Sequence, residues 1–181
     1  MTYAGYVAFE GRTPGRHEYL DGRVLAMAGG TPEHGALAAA VTGMLFAQLA
    51  SQPCHVLTSD VRVKIQETGL TTYPDVSVVC GPAERDTEDP IAITNPTALV
   101  EILSERTEAY DRGEKFAHYR RLLSLREYVL VAQDAPRIEV FRRDATGNWS
   151  LHEFRPGDRA RLESIGCALD VTELYERAAL R

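Results

Sequence analysis

Two carboxylates associated with apolar segments are the side chains of this chain best suited to catalysis. Asp75 directly precedes the apolar run 76–79, and Glu101 lies inside the apolar run 98–103. Runs of this kind are typical of strands that are buried on both faces of a sheet. An ionised carboxylate in such a strand is strongly destabilising unless a nearby charge or hydrogen bonds compensate it. The sequence therefore predicts that another group balances Glu101.

A divalent cation shared by Asp75 and Glu101 is the simplest compensation, because oxygen ligands on adjacent strands can converge on one ion. The alternative is a lone Glu101 that pairs with an arginine or is protonated in place. The two segments alone are compatible with either arrangement.

A lysine follows the second carboxylate at helical spacing. The sequence predicts a helix from about Asp111, with Phe116, Tyr119 and Leu123 as its inward stripe. Asp111, Lys115 and Tyr119 are spaced at i, i+4 and i+8, so Lys115 lies on the flank of that stripe and can reach the sheet. The alternative is a solvated lysine in an ordinary surface ion pair.

Taken together, these segments resemble the PD-(D/E)XK nuclease superfamily, and more closely its Uma-two group of restriction endonuclease-like proteins. The resemblance spans residues 18–134, and the order and spacing of its motifs carry it rather than any single motif. Besides His34 at a helix start, the matching segments are 17–24, 27–29, 73–80, 99–104, 110–116 and 119–121.

The resemblance implies a metal-dependent endonuclease that hydrolyses phosphodiester bonds in DNA. Asp75, Glu101 and the Ile102 backbone carbonyl would then hold Mg²⁺ or Mn²⁺. Glu18 would add a carboxylate or hold a second ion, and Asp60 is a further auxiliary candidate.

One departure from the superfamily pattern affects the lysine. The superfamily usually has lysine two residues after the strand glutamate, where this chain has Leu103. The resemblance implies that Lys115 takes over, orienting the attacking water or stabilising the phosphate, with Tyr119 and Asp111 as auxiliary neighbours. Leu103 also leaves two alternatives open: a catalytically inactive nucleic-acid-binding or oligomerisation domain on the same fold, and a metalloenzyme acting on a small phosphoester.

The expected fold class is α/β (α+β), as a single restriction-endonuclease-like domain over residues 1–181. Its central mixed sheet is flanked by helices, with β-hairpin additions at the N- and C-terminal ends. The predicted elements are a hairpin around Asp21-Gly22, a helix from the Thr31 cap to about Ala50, strands over 56–65, 75–79, 98–103 and 128–131, a surface loop over 81–96, a hairpin of 138–142 with 149–154, and a helix from Asp170 through Leu180.

Composition and charge limit the possible partners. The chain of 181 residues is 44% hydrophobic, enough for one core. Its formal net charge of −6 argues against tight nonspecific DNA binding. A local basic cluster is compatible either with phosphate contacts or with a solvated helix face. Its members are Arg112, Lys115, Arg120, Arg121 and Arg126.

The remaining expectations concern cysteines, location and assembly. Cys54, Cys80 and Cys167 are far apart in sequence and odd in number, so neither a zinc pattern nor a disulfide framework is predicted. No transmembrane span or signal peptide is apparent, which predicts a cytoplasmic protein without a membrane partner. A symmetric homodimer is expected, because two sites related by a two-fold axis suit the cutting of both strands of a duplex.

Overall fold

The computed structural model describes residues 1–27 and 29–179, and it has an α+β architecture in which mixed sheets are flanked by helices. The elements in chain order are α1 (Tyr3–Glu10), β1 (His17–Leu20), β2 (Arg23–Ala26), α2 (Pro32–Leu49), β3 (Cys54–Thr58), β4 (Arg62–Lys64), β5 (Thr71–Thr72), β6 (Val76–Cys80), β7 (Ala92–Ile93), β8 (Ala98–Ile102), α3 (Glu108–Tyr110), a π-helical segment (Asp111–Lys115), α4 (Phe116–Tyr119), β9 (Glu127–Val131), β10 (Ile138–Arg143), β11 (Trp149–Phe154), β12 (Arg159–Leu162), β13 (Cys167–Asp170) and α5 (Val171–Ala178).

The larger sheet has the strand order β11-β10-β9-β8-β6-β3. β8 and β9 are parallel, whereas the other neighbouring strands of this sheet are antiparallel. Every residue of β8 and β9 is buried, as the apolar runs predict for central strands covered on both faces. Val100 packs in the core with α2 and α5, and Leu99 packs in the core with α4.

Helix α2 confirms its sequence prediction closely. The Thr31 hydroxyl accepts a hydrogen bond of 3.2 Å from the backbone N–H of His34, and Pro32 occupies the first helical position. The residues that α2 buries against the sheet are spaced by four, which gives one apolar stripe. They are Leu37, Val41, Leu45 and Leu49.

The second sheet has the strand order β2-β1-β5-β4-β7. Asp21 and Gly22 both have positive φ angles, 49° and 80°, in the turn between β1 and β2. Positive φ at both central residues is the mark of the tight hairpin turn that this dipeptide predicts. No helix in residues 1–27 and 29–179 is long and apolar enough to cross a bilayer.

Two predicted elements are wrong in extent. The predicted strand over 56–65 is two strands, β3 and β4, which a turn separates and which belong to different sheets. Residues 60–65 alternate in polarity through the turn and into β4, so periodicity could not reveal the break. The predicted surface loop over 81–96 contains β7 and two buried carboxylates, Asp86 and Asp89, because Lys64 and Arg62 pair with them.

The expectation of unpaired cysteines is also wrong. β3 and β6 are antiparallel with Cys54 opposite Cys80, and these two residues form a disulfide with a Cα–Cα distance of 4.0 Å. Cys167 is a buried free cysteine.

The C-terminal region confirms part of its prediction. The hairpin of β10 and β11 and the Asp170 cap of α5 are present, and Leu174 is buried as expected. Leu180, the predicted end of the last helix, lies outside the described residues. Helix α1 and the hairpin of β12 and β13 had no counterpart in the sequence prediction.

Candidate active site

One end of the larger sheet brings Asp75 and Glu101 together. β6 and β8 are antiparallel with Val76 opposite Val100. Extending this register by one residue places Asp75, just before β6, opposite Glu101. Opposite residues of an antiparallel pair have Cβ atoms about 5 Å apart on one face. Asp75 Oδ2 also accepts a hydrogen bond of 2.7 Å from the Ile102 backbone N–H, which holds this carboxylate against β8.

Glu101 is almost completely buried, with 4% of its surface exposed. Its Oε1 atom lies 2.8 Å from Lys115 Nζ and accepts a hydrogen bond of 2.8 Å from the Tyr119 hydroxyl. Burial raises the pKa of Glu101 to about 8, although the Lys115 ammonium acts in the opposite direction. The charges of Asp111 and Asp75 raise this pKa further. An ionised Glu101 is therefore costly unless more positive charge is supplied.

Lys115 approaches Glu101 from the π-helical segment, and not from β8. Its Nζ also lies 3.3 Å from Asp111 Oδ1 and 3.6 Å from Glu18 Oε1. The Tyr128 hydroxyl donates to the Asp111 carbonyl at 3.1 Å, which fixes the π-helical segment to β9. Burial alone would lower the pKa of Lys115, but the three carboxylates outweigh it and raise this pKa well above its usual range. One ammonium thus serves three carboxylates.

Glu18 reaches the same place from β1 of the second sheet. It is buried, accepts a hydrogen bond from the Thr72 hydroxyl, and lies 3.3 Å from the Tyr110 hydroxyl that donates to it. We use the name acidic cluster for Glu18, Asp75, Glu101, Asp111 and Lys115. The side chains predicted to be catalytic from the sequence, together with Tyr119 and Asp111, are therefore neighbours in the fold.

His34 reaches the acidic cluster from the first turn of α2. Its Nε2 lies 3.2 Å from Asp75 Oδ2. The hydrogen bond to Asp75 raises the pKa of His34 against the opposing effect of burial, and Asp111 and the Ile102 backbone raise it further. His34 is among the residues that carry the family resemblance, but no role could be assigned to it from the sequence. Only the contact with Asp75 identifies it as part of the site.

Two residues considered from the sequence lie apart from the acidic cluster. Asp60 has a side chain that is 76% exposed, pairs with Arg16 at 2.5 Å and accepts a hydrogen bond from Thr58. Leu103 is buried and packs in the core with Phe116. The position that usually carries the superfamily lysine is therefore occupied by a core side chain.

The predicted basic cluster does not form one continuous phosphate-binding surface. Lys115 is buried among carboxylates, Arg112 pairs with Glu108 at 2.7 Å, and Arg121 pairs with Glu67 at 3.3 Å. A cation that a neighbouring carboxylate neutralises attracts phosphate only weakly. These three side chains are paired with carboxylates, which fits a helix face that carries ion pairs better than a phosphate-binding surface.

The donor atoms that remain at the acidic cluster are oxygens. Among the described residues, the contacts of Glu101 involve Oε1 and those of Asp75 involve Oδ2, which leaves the second oxygen of each carboxylate without a protein partner. Within this part of the chain, no three carboxylate, imidazole or thiol side chains form a ready-made metal site. The family resemblance implies the Ile102 backbone carbonyl as the third oxygen. Oxygen donors and excess negative charge fit a hard divalent cation such as Mg²⁺ or Mn²⁺.

An open groove of about 540 Å³ leads to Asp75 between α2 and the turn after β3. Small side chains of α2 line one side of this groove, together with the exposed Phe46. The lining residues are Ala38, Ala39, Thr42, Gly43, Phe46, Thr58, Ser59 and Asp75.

Comparisons with known proteins agree with this architecture. The model of the Uma2 family, described as "Putative restriction endonuclease", matches residues 4–172. Two proteins of Synechocystis sp., both described as uncharacterized, match at 36% identity over 96% of this chain and 90% of slr1290, and at 28% identity over 90% of this chain and 92% of sll1609. The crystal structure of "a putative nuclease belonging to DUF820" from Anabaena variabilis has a TM-score of 0.76 at 16% identity, covering 96% of this chain and 98% of that one.

Proposed function

From the premise that the chain belongs to the Uma2 family, we propose that it is a Mg²⁺- or Mn²⁺-dependent endonuclease of the PD-(D/E)XK type that hydrolyses phosphodiester bonds in DNA. The observation that carries the proposal is the position of Lys115. Its ammonium lies 2.8 Å from Glu101 although it comes from a helical segment and not from β8. This position supports the proposal that Lys115 performs the function of the missing strand lysine.

The proposed metal ligands are Asp75, Glu101 and the backbone carbonyl of Ile102. Glu18 is proposed as a further carboxylate, since its Oε1 lies 3.6 Å from the same ammonium. A divalent cation held by these residues would lower the pKa of bound water and would offset the negative charge that builds on the phosphate. The oxygens of Glu101 and Asp75 that have no protein partner support this assignment.

Lys115 is proposed to act on the water or on the phosphate. An ammonium has three donors and no lone pair, so it cannot bind a cation and must donate hydrogen bonds. Directed at the scissile phosphate, it stabilises charge that develops in the transition state. Tyr119 shares Oε1 of Glu101 with Lys115, and it is proposed to position that carboxylate.

Plasmid cleavage tests the proposal. We expect wild-type protein to cut DNA with Mn²⁺ or Mg²⁺ and to stop with EDTA, and Lys115→Ala to be slower by about a hundredfold or more. Lys64 is the only other lysine of the chain and provides the matched control. Because Lys64 pairs with Asp86, which is not a member of the acidic cluster, Lys64→Ala should keep its rate per folded molecule.

Each contrary outcome has a distinct meaning. If Lys115→Ala cuts as fast as wild type, the lysine does not act in catalysis. If plasmid is untouched but a chromogenic diester is hydrolysed with Mn²⁺, the substrate is a small phosphoester. If no phosphodiester of either kind is hydrolysed, the protein is a nucleic-acid-binding or oligomerisation domain.

We also propose that two copies form a symmetric homodimer, because two sites related by a two-fold axis can cut both strands of a duplex. Leu25 on edge strand β2 and Leu151 on edge strand β11 are both more than half exposed, and pairing of copies would cover such side chains. Light scattering should give twice the mass of the chain. A monomer at micromolar concentration would contradict the dimer.

A further inference from the structure

The imidazole of His34 lies where a metal ligand of the acidic cluster would lie. His34 Nε2 is 3.2 Å from Asp75 Oδ2, and the Ile102 backbone N–H donates to the same oxygen at 2.7 Å. Asp75 and the Ile102 carbonyl are two of the proposed oxygen ligands. His34 therefore meets Asp75 from α2, whereas Lys115 meets Glu101 from the π-helical segment.

The distance between His34 and Asp75 suits two ligands of one ion. Ligand atoms that lie about 2.1 Å from an octahedral ion, at right angles to one another, are about 3 Å apart. The observed separation of 3.2 Å is close to that value. An ion on this edge would displace the proton that Nε2 shares with Asp75, and would use the freed lone pair of Nε2 and an oxygen of Asp75 at the same time.

The surroundings of His34 hold its ring in this orientation. A Cβ atom at Gly30 would lie 2.7 Å from His34 Nδ1 and 2.9 Å from Cγ, so the ring occupies space that only glycine leaves open. The Thr31 hydroxyl receives hydrogen bonds from the His34 backbone N–H and from Gln133 Nε2 at 2.9 Å. The start of α2 is thereby fixed to the segment after β9, beside the proposed metal ligands.

We propose that His34 Nε2 is a nitrogen ligand of the cation held by Asp75 and the Ile102 carbonyl, and that it makes the site select Mn²⁺ over Mg²⁺. Imidazole nitrogen suits first-row transition metals, whereas Mg²⁺ is held by oxygen ligands. This inference rests on the proposed metal dependence. Gly30 acts through His34 and is a positioning residue.

Pulsed electron paramagnetic resonance of Mn²⁺ bound to wild-type protein tests the ligand directly. Coupling of the electron spin to a ¹⁴N nucleus is expected in wild type and in His55→Ala, a control that removes an exposed histidine. The coupling should disappear in His34→Ala. Calorimetric titrations of the same proteins should show that His34→Ala weakens Mn²⁺ binding by about tenfold or more and leaves Mg²⁺ binding nearly unchanged.

Gly30→Ala provides a second variant, because its methyl group displaces the His34 ring without removing it. It should reduce the preference for Mn²⁺ in the same direction as His34→Ala. Mn²⁺ bound to wild type without ¹⁴N coupling would overturn the inference and leave the proposed function intact, as would equal losses of Mn²⁺ and Mg²⁺ affinity in His34→Ala. Failure of wild type to bind either ion would overturn the proposed metal dependence itself.

Discussion

The acidic cluster and the charged network beneath α1 are both buried, yet they balance their charges differently. In the acidic cluster, the ammonium of Lys115 lies within 3.6 Å of Glu18, Glu101 and Asp111. Three carboxylates therefore share one cation. In the network beneath α1, each cation has a carboxylate of its own.

The network beneath α1, which we call the arginine network, is built around Arg62 and Lys64. Arg62 lies 2.7 Å from Asp89, and Lys64 lies 2.9 Å from Asp86. A buried pair that is balanced in this way has no capacity for another ion, and breaking it leaves an isolated charge. Burial of charge alone therefore does not mark a functional site. The unequal ratio of carboxylates to cations distinguishes the acidic cluster.

The largest effect on stability is expected in the arginine network. Asp89→Asn should lower the free energy of unfolding by about 3–5 kcal/mol, because Arg62 would stay buried without its counter-charge. Glu101→Gln in EDTA should be no less stable than wild type, since Lys115 keeps Asp111 and Glu18 as partners. Urea denaturation measures both changes. Equal losses in the two variants would show that the acidic cluster is as balanced as the arginine network.

Metal binding is expected to stabilise the folded protein through the acidic cluster. Mn²⁺ at a hundred times its Kd should raise the free energy of unfolding by about 2.7 kcal/mol, because the ion binds only the folded state. Melting curves with and without Mn²⁺ measure this gain. Asp75→Ala should lose it, whereas Asp60→Ala should keep it because Asp60 pairs with Arg16 on the surface. An undiminished gain in Asp75→Ala would remove Asp75 from the site.

A smaller effect on the free energy of unfolding is expected from a change of pH in the metal-free protein. Burial raises the pKa of Glu101 from 4.5 to about 8, so the folded state binds this proton more tightly than the unfolded state does. The contribution of Glu101 to stability is therefore fully present below pH 4.5 and is lost as the pH rises to about 8. Urea denaturation in EDTA should show wild type losing stability relative to Glu101→Gln across this range. A constant difference between the two proteins would contradict the raised pKa.

Local chemistry made part of this fold predictable. The Asp21-Gly22 turn, the Thr31 cap and the stripe of α2 depend on residues close in sequence, and the structure confirms them. The burial of Glu101 followed from the apolar residues around it. The approach of Lys115 followed from its helical spacing to Asp111 and Tyr119. These inferences required no knowledge of distant contacts.

Long-range pairing explains what the sequence prediction missed. The pairing of Lys64 and Arg62 with Asp86 and Asp89 depends on the position of β7 beside β4, which no local pattern encodes. The break between β3 and β4 was hidden because the alternation in polarity of residues 60–65 runs through the turn into β4. The proximity of His34 to Asp75 depends on how α2 crosses the sheet, so its place in the site became visible only in the structure.

Calorimetric titration of Mn²⁺ into wild type, Lys115→Ala and Glu101→Ala tests most directly whether the excess of carboxylates serves to hold a cation. Wild type and Lys115→Ala should both bind Mn²⁺, since removal of an ammonium takes away no ligand. Glu101→Ala should show no binding at the same concentrations. If Glu101→Ala binds Mn²⁺ as tightly as wild type, the acidic cluster is not the metal site and the account is wrong.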